Sequence, residues 1–175
     1  MAILPIIIAP DRRLKIKCKP VDTVDDAIAT LMTDLLETMY AAPGIGLAAP
    51  QVGVAKRVIV IDSAGKDEPP APVKMANPEL ISVSEELWTH EEGCLSLPEH
   101  YADVERPRHI HMRYLDENNA VQDLEADELL ATCIQHEIDH LSGTLFVDHI
   151  SALKRNMILR KLVKSKKQNL TTAAA

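Results

Sequence analysis

Aromatic side chains are scarce: one Trp, three Tyr and one Phe make up 3% of the 175 residues, so a core must come from Leu, Ile, Val, Ala and Met. Cysteine is scarce too. Cys18, Cys94 and Cys133 leave at least one thiol unpaired, which excludes a disulfide framework and predicts a reducing, cytoplasmic setting. No apolar run is long enough to span a bilayer, so no membrane partner is expected. The N-terminal apolar run has no basic residue before it, contains Pro5 and meets Asp11, Arg12 and Arg13, so neither a signal nor a transit peptide is expected. Acidic residues also stop early, at Asp148.

What is present fits one ordinary globular domain, with 46% hydrophobic and 26% charged residues. The net charge of −7 conceals a division. Residues 1–148 hold 12 basic and 26 acidic side chains, a charge of −14, and the remainder holds seven basic ones, from Lys154 to Lys167. An acidic body with a basic tail predicts two kinds of partner. We read residues 1–150 as a catalytic unit and 151–175 as a basic helix and tail of the same domain.

Apolar residues from Ile28 to Met39 recur at three/four spacing and predict a helix over 24–41, capped by Asp22 or Thr23 and stopped before Pro43-Gly44. The run 57–62 reads as a buried strand, and 63–72 as a surface loop. Strands are expected over 79–90, 108–115 and 120–125, with a turn at 116–119. Further helices are expected over 126–142, ending at Gly143, and over 151–167, with Leu153, Met157, Ile158 and Leu162 on one side. Turn-linked strands without regular strand–helix alternation imply an α+β fold, mostly antiparallel sheets around the 126–142 helix, with a C-terminal helix.

That central helix carries His136-Glu137-Ile138-Asp139-His140, an HExxH pattern. Residues i and i+4 differ by about 40° around the helix axis, so both imidazoles project from one face and can share a cation. Glu137 lies beside them, placed to take a proton from water at such an ion. The bland alternative is a chance pair on a solvated helix, but the neighbours Leu129, Leu130, Cys133, Ile134 and Ile138 make the helix a buried one. Buried histidines and a glutamate are costly unless partnered. A catalytic ion needs a third protein ligand. Position 146 is Phe rather than His, and no acidic residue follows Asp148, which removes two familiar downstream solutions. Cys94, between Gly93 and Pro98, is the best remaining candidate, with Asp148 and His149 as alternatives.

Three segments taken together resemble the peptide deformylase family: Gly44-Ile45-Gly46-Leu47-Ala48-Ala49-Pro50-Gln51, Glu92-Gly93-Cys94-Leu95-Ser96 and Gln135-His136-Glu137-Ile138-Asp139-His140. They match the family's GxGxAAxQ, EGCxS and HExxH motifs in order, and the basic tail looks like the bacterial type 1 branch. The resemblance implies removal of the formyl group from the initiator formylmethionine of new polypeptides, with release of formate. It implies one divalent metal ion on Cys94, His136 and His140, ferrous iron first, with zinc, nickel or cobalt also accepted. Glu137 would be the acid/base, and Gln51 with the Leu95 N–H would form the oxyanion hole. Ile45, Gly46, Leu129 and Cys133 are the expected methionine-binding residues. His90 and Tyr101 depart from many relatives at the pocket rim, and Arg106 is expected to order the site through a carboxylate such as Asp139. The partners would be formylmethionyl nascent chains and, through the tail, the ribosome. Two rival readings remain: an HExxH zinc peptidase cutting internal bonds, and a module in which the metal only holds the fold.

Overall fold

A computed structural model of the chain describes residues 1–174. Its first long helix, α1 (Asp26–Ala41), buries Ile28, Met32, Leu35 and Met39 on one face. Its cap is Asp25, which takes the Ile28 N–H at 2.9 Å, rather than the expected Asp22 or Thr23. Seven strands follow: β1 (Gly46–Ala48), β2 (Val58–Ile61), β3 (Val73–Val83), β4 (Leu87–Cys94), β5 (Leu97–Pro107), β6 (His109–Leu115) and β7 (Val121–Asp127). Then come α2 (Glu128–Leu141) and α3 (Ala152–Ala174).

Strands β1-β2-β3-β6-β7 form one sheet in that order, β4 and β5 form a separate hairpin, and every pairing is antiparallel. The all-apolar β2, second in that order, is buried along its whole length because both its faces are covered. Val58 and Val60 pack with Met32, Leu35 and Met39 of α1. Ile59 and Ile61 pack with Ala131, Ile134 and Leu141 of α2. Helix α2 is therefore held between the main sheet and the hairpin, and most of its length is buried. The α+β expectation holds.

Three expectations need correction. The strand anticipated over 79–90 is two strands, broken where Ser84 Oγ donates to the Glu86 carbonyl at 2.8 Å and Ser84 N–H pairs with the His109 carbonyl. Strand β5 lies where no strand is expected. Its inward positions include the charged Arg106 as well as Ala102 and Val104, and its start is bulged at Pro98–His100, so only a short apolar–polar alternation remains. Helix α3 runs on to Ala174 instead of stopping at 167, and of its expected apolar side only Ile158 and Leu162 pack inward, with Leu159, whereas Leu153 and Met157 are exposed. No helix among the described residues is long and apolar enough to cross a membrane.

Candidate active site

His136 and His140 face the hairpin one helical turn apart, with ring centroids 5.1 Å from each other. Cys94 reaches them because β4 ends in an irregularity. Gly93 pairs with Tyr101, yet the next residue, Cys94, pairs with Leu97, so Pro98–His100 bulge outward and the end of β4 is re-aimed. A Cβ on Gly93 would stand 2.6 Å from the Tyr101 ring, so glycine lets that ring lie across the strand. Cys94 Sγ lies 3.3 Å from His140 Nε2, and the ligating atoms of Cys94, His136 and His140 all fall within 4.8 Å of one another.

The donors suit a borderline divalent ion: one sulfur and two imidazoles, the chemistry of zinc or ferrous sites. Tautomers support that fit. His136 Nδ1 stands 2.8 Å from Glu92 Oε1, and a carboxylate only accepts, so Nδ1 carries the proton and Nε2 keeps its lone pair for a cation. Asp148 and His149 lie outside the cluster. Asp148 binds Lys15 and Arg155, and His149 faces Asp139.

Glu92 is the partner that sequence reasoning missed. Its carboxylate also takes two hydrogen bonds from Arg106, at 2.6 and 3.0 Å, and Arg106 Nη1 reaches Asp139 Oδ2 at 2.9 Å, as anticipated for that arginine. The EGCxS match includes Glu92 but assigns it no role; its burial follows from the strand alternation that puts Glu92 and Arg106 on the inner hairpin face. Burial would raise the Glu92 pKa, but His136 and Arg106 hold it down to about 2.

Glu137 is 5% exposed, and its Oε2 is buried without a partner among the described residues. Burial pushes its pKa up to about 7. Burial and the nearby His136 push His140 well below the ordinary imidazole range, which favours the neutral ligand form. In His136 burial acts downward, but hydrogen bonding to Cys94 and Glu92 outweighs it and raises the pKa.

Gln51 is buried at the end of a short 3-10 turn, with its side-chain amide clamped at both ends. Oε1 accepts from the Ala48 N–H at 2.9 Å, and Nε2 donates to Ser96 Oγ at 3.0 Å and lies 3.5 Å from Cys94 Sγ. Leu95 sits between Cys94 and Ser96 at the hairpin tip and lines the same cavity. That cavity has a volume of about 470 Å³, which suits a small ligand. Ile45, Gly46, Leu129 and Cys133 all line it, with His136, Glu137 and Gln51. His90 and Tyr101 stand at its rim. Ile45 is 45% exposed and belongs to the mouth, whereas Cys133 is buried and its thiol is pushed up to about 12 by burial.

A model of the polypeptide deformylase family matches residues 3–156. A peptide deformylase of Methylocella silvestris is 54% identical over 170 residues, covering 95% of this chain and 87% of that protein. The crystal structure of peptide deformylase from Ehrlichia chaffeensis superposes with a TM-score of 0.93 at 38% identity, covering 97% of this chain and 99% of the other. The same protein in complex with actinonin gives a TM-score of 0.90 at 40% identity, over 94% and 98% of the two chains.

Proposed function

The chain belongs to the peptide deformylase family, and from that premise we propose that Cys94, His136 and His140 hold one divalent ion while Glu137 moves the proton. The enzyme is a metal-dependent hydrolase that removes the formyl group from the initiator formylmethionine of new polypeptides. What carries the assignment of roles is one arrangement: the unpartnered Glu137 oxygen beside the sulfur–imidazole cluster on one cavity wall.

When bound, the ion would polarise the formyl carbonyl and ease deprotonation of water. Glu137 accepts that proton as water attacks and delivers it to the departing amine. A pKa near 7 suits both directions at neutral pH. The clamped Gln51 amide and the Leu95 N–H hold the developing oxyanion, a preorganised donor being worth about 3–4 kcal/mol. Ile45, Leu129 and Cys133 supply apolar wall for the methionine side chain, and Gly46 lets β1 pass close to Glu137. Ferrous iron is the proposed native ion, with zinc, nickel or cobalt as substitutes, since a thiolate with two imidazoles accepts all of them.

Formate release from formyl-Met-Ala-Ser tests the reading. Glu137→Ala should keep its metal and lose about 10²- to 10⁴-fold in kcat. Unchanged activity would favour a purely structural ion, and cleavage inside an unformylated peptide would favour a zinc peptidase. Oxygen-induced loss of activity in anaerobically purified enzyme would support iron.

We also propose a cytoplasmic location and one domain, with residues 1–150 as the catalytic unit and 151–175 as its basic helix and tail. The cations Lys154, Arg160, Lys161, Lys164, Lys166 and Lys167 are all exposed on α3, which suits a salt-sensitive contact with the ribosome. Equal ribosome binding by the full chain and a 1–150 truncation would overturn that contact.

A further inference from the structure

The imidazole of His136 is oriented by a relay of charged groups. Glu92 holds its Nδ1, Arg106 holds Glu92, and Asp139 holds the remaining arm of Arg106. The relay becomes wetter outward: the Glu92 and Arg106 side chains are 4% and 6% exposed, and that of Asp139 is 26% exposed. Asp139 is therefore the link that water can displace most readily. If its carboxylate swings out, Arg106 loses one of its two anchors, and the Glu92 carboxylate that fixes the His136 ring loses its rigid support.

His149 closes that outer link. Its Nε2 stands 2.8 Å from Asp139 Oδ2, the same oxygen that accepts from Arg106. The carboxylate can only accept, so Nε2 carries the proton. The short turn bearing His149, Phe146–His149, is itself anchored. Asp148 takes the Leu145 N–H at 2.8 Å, Lys15 Nζ at 2.8 Å and Arg155 Nε of α3 at 2.9 Å. From the same turn, the Phe146 ring lies against His136, with centroids 6.2 Å apart.

We propose that His149 is a positioning residue for the metal centre, acting through Asp139, Arg106 and Glu92 on the ring orientation of His136. The proposal rests on the reading of Cys94, His136 and His140 as the ligands. Its effect is on how firmly the ion is held; it touches neither substrate nor the reacting atoms.

The test uses the full chain loaded with cobalt, whose thiolate and ligand-field absorption reports the coordination directly. His149→Leu should release cobalt to a chelator about 3- to 10-fold faster than the parent. This lies below the 10- to 100-fold typical of a group bonded directly to a ligand, because His149 stands further out. The ligand-field bands should shift while the apoprotein melts at the parent temperature. His149→Gln, whose amide nitrogen can reach the same Asp139 oxygen, should restore the parent rate. In an Asp139→Asn background, His149→Leu should add nothing. Parent-like release by His149→Leu overturns the proposal, as does a His149→Gln protein that loses cobalt as fast as His149→Leu. If the parent itself shows no thiolate-to-cobalt absorption, the ligand assignment falls and takes this inference with it; with that absorption present, a failure at His149 leaves the assignment standing.

Discussion

Gly46→Ala should inactivate the enzyme while leaving it folded and metal-loaded. A Cβ at position 46 would overlap Glu137 Oε1 and stand 2.9 Å from Cδ and 3.0 Å from Cγ of the same side chain. Carbon atoms pack best at about 3.5–4.0 Å, so relief requires a relative shift of roughly 0.5–1 Å. Strand β1 cannot readily supply it, because Gly46 is paired with Ile61 and the adjacent Ile45 carbonyl takes the Asp62 N–H at 2.9 Å. Helix α2 is equally fixed, by Glu92 on His136 and by its packing against the sheet. The soft coordinate is rotation of the Glu137 side chain, which moves the proposed base. Overpacking then costs only about 1 kcal/mol of stability, at the low end for such changes, since a side-chain end yields rather than backbone. The chemical cost is larger: misplacing a reacting group by about 1 Å can reduce rate about 10²-fold. Formate release, metal content and thermal midpoint should be measured on one preparation. Wild-type kcat, or a loss that merely tracks missing metal, would refute the reasoning.

Replacing Arg106 by Met should destabilise the protein by about 3–5 kcal/mol in urea denaturation, because the 4%-exposed Glu92 keeps its charge and loses its guanidinium. A Glu92→Gln, Arg106→Met double variant should recover part of that loss, and strict additivity would contradict the pairing. At high pH, Tyr40 governs a separate effect. Burial, followed by its hydrogen bond to Asp62, raises the phenol from 10.0 to about 12. A raised folded pKa stabilises the protonated form, so this contribution is complete below pH 10 and fades as pH rises through about 12. Tyr40→Phe should therefore show a shallower fall in melting temperature across that window than the parent; parallel curves would rule the effect out.

The HExxH helix and β2 were legible because periodicity reports which faces are buried, and both are buried on more than one side. Three motifs in order identified the family and brought Gln51 and Leu95 into consideration, whereas Cys94 already stood out as the best remaining third ligand for the HExxH pair. The hairpin was not legible. Its inner face carries His90, Glu92 and Arg106 beside Ala102 and Val104, so polar residues interrupt the alternation on the side that is buried. Since the hairpin was unseen, so was the cross-strand relation that sets Glu92 near Arg106, a pair 14 residues apart. Sequence spacing could suggest Asp139 for Arg106 but had no means of ranking it against Glu92. His149 shows the converse difficulty: its residue type suggested a ligand, whereas its backbone position at the end of a 3-10 turn directs it to Asp139.

Charge explains why so many polar groups can share one buried region. Glu92, Asp139 and a Cys94 thiolate, the form in which cysteine binds a cation, bring three negative charges against the single positive charge of Arg106. An excess of two negative charges in a low-dielectric setting is expensive. One divalent ion on the cysteine and the two imidazoles would cancel it, displacing the second ring proton that the raised His136 pKa favours in the ion's absence. Glu137 stands outside that balance, with its charge disfavoured by burial and its free oxygen unsatisfied. It is therefore the one carboxyl in the centre whose proton can come and go without disturbing an ion pair. This ties the acid/base role to Glu137 rather than to the closely neighbouring Glu92, whose carboxylate is committed to orienting His136.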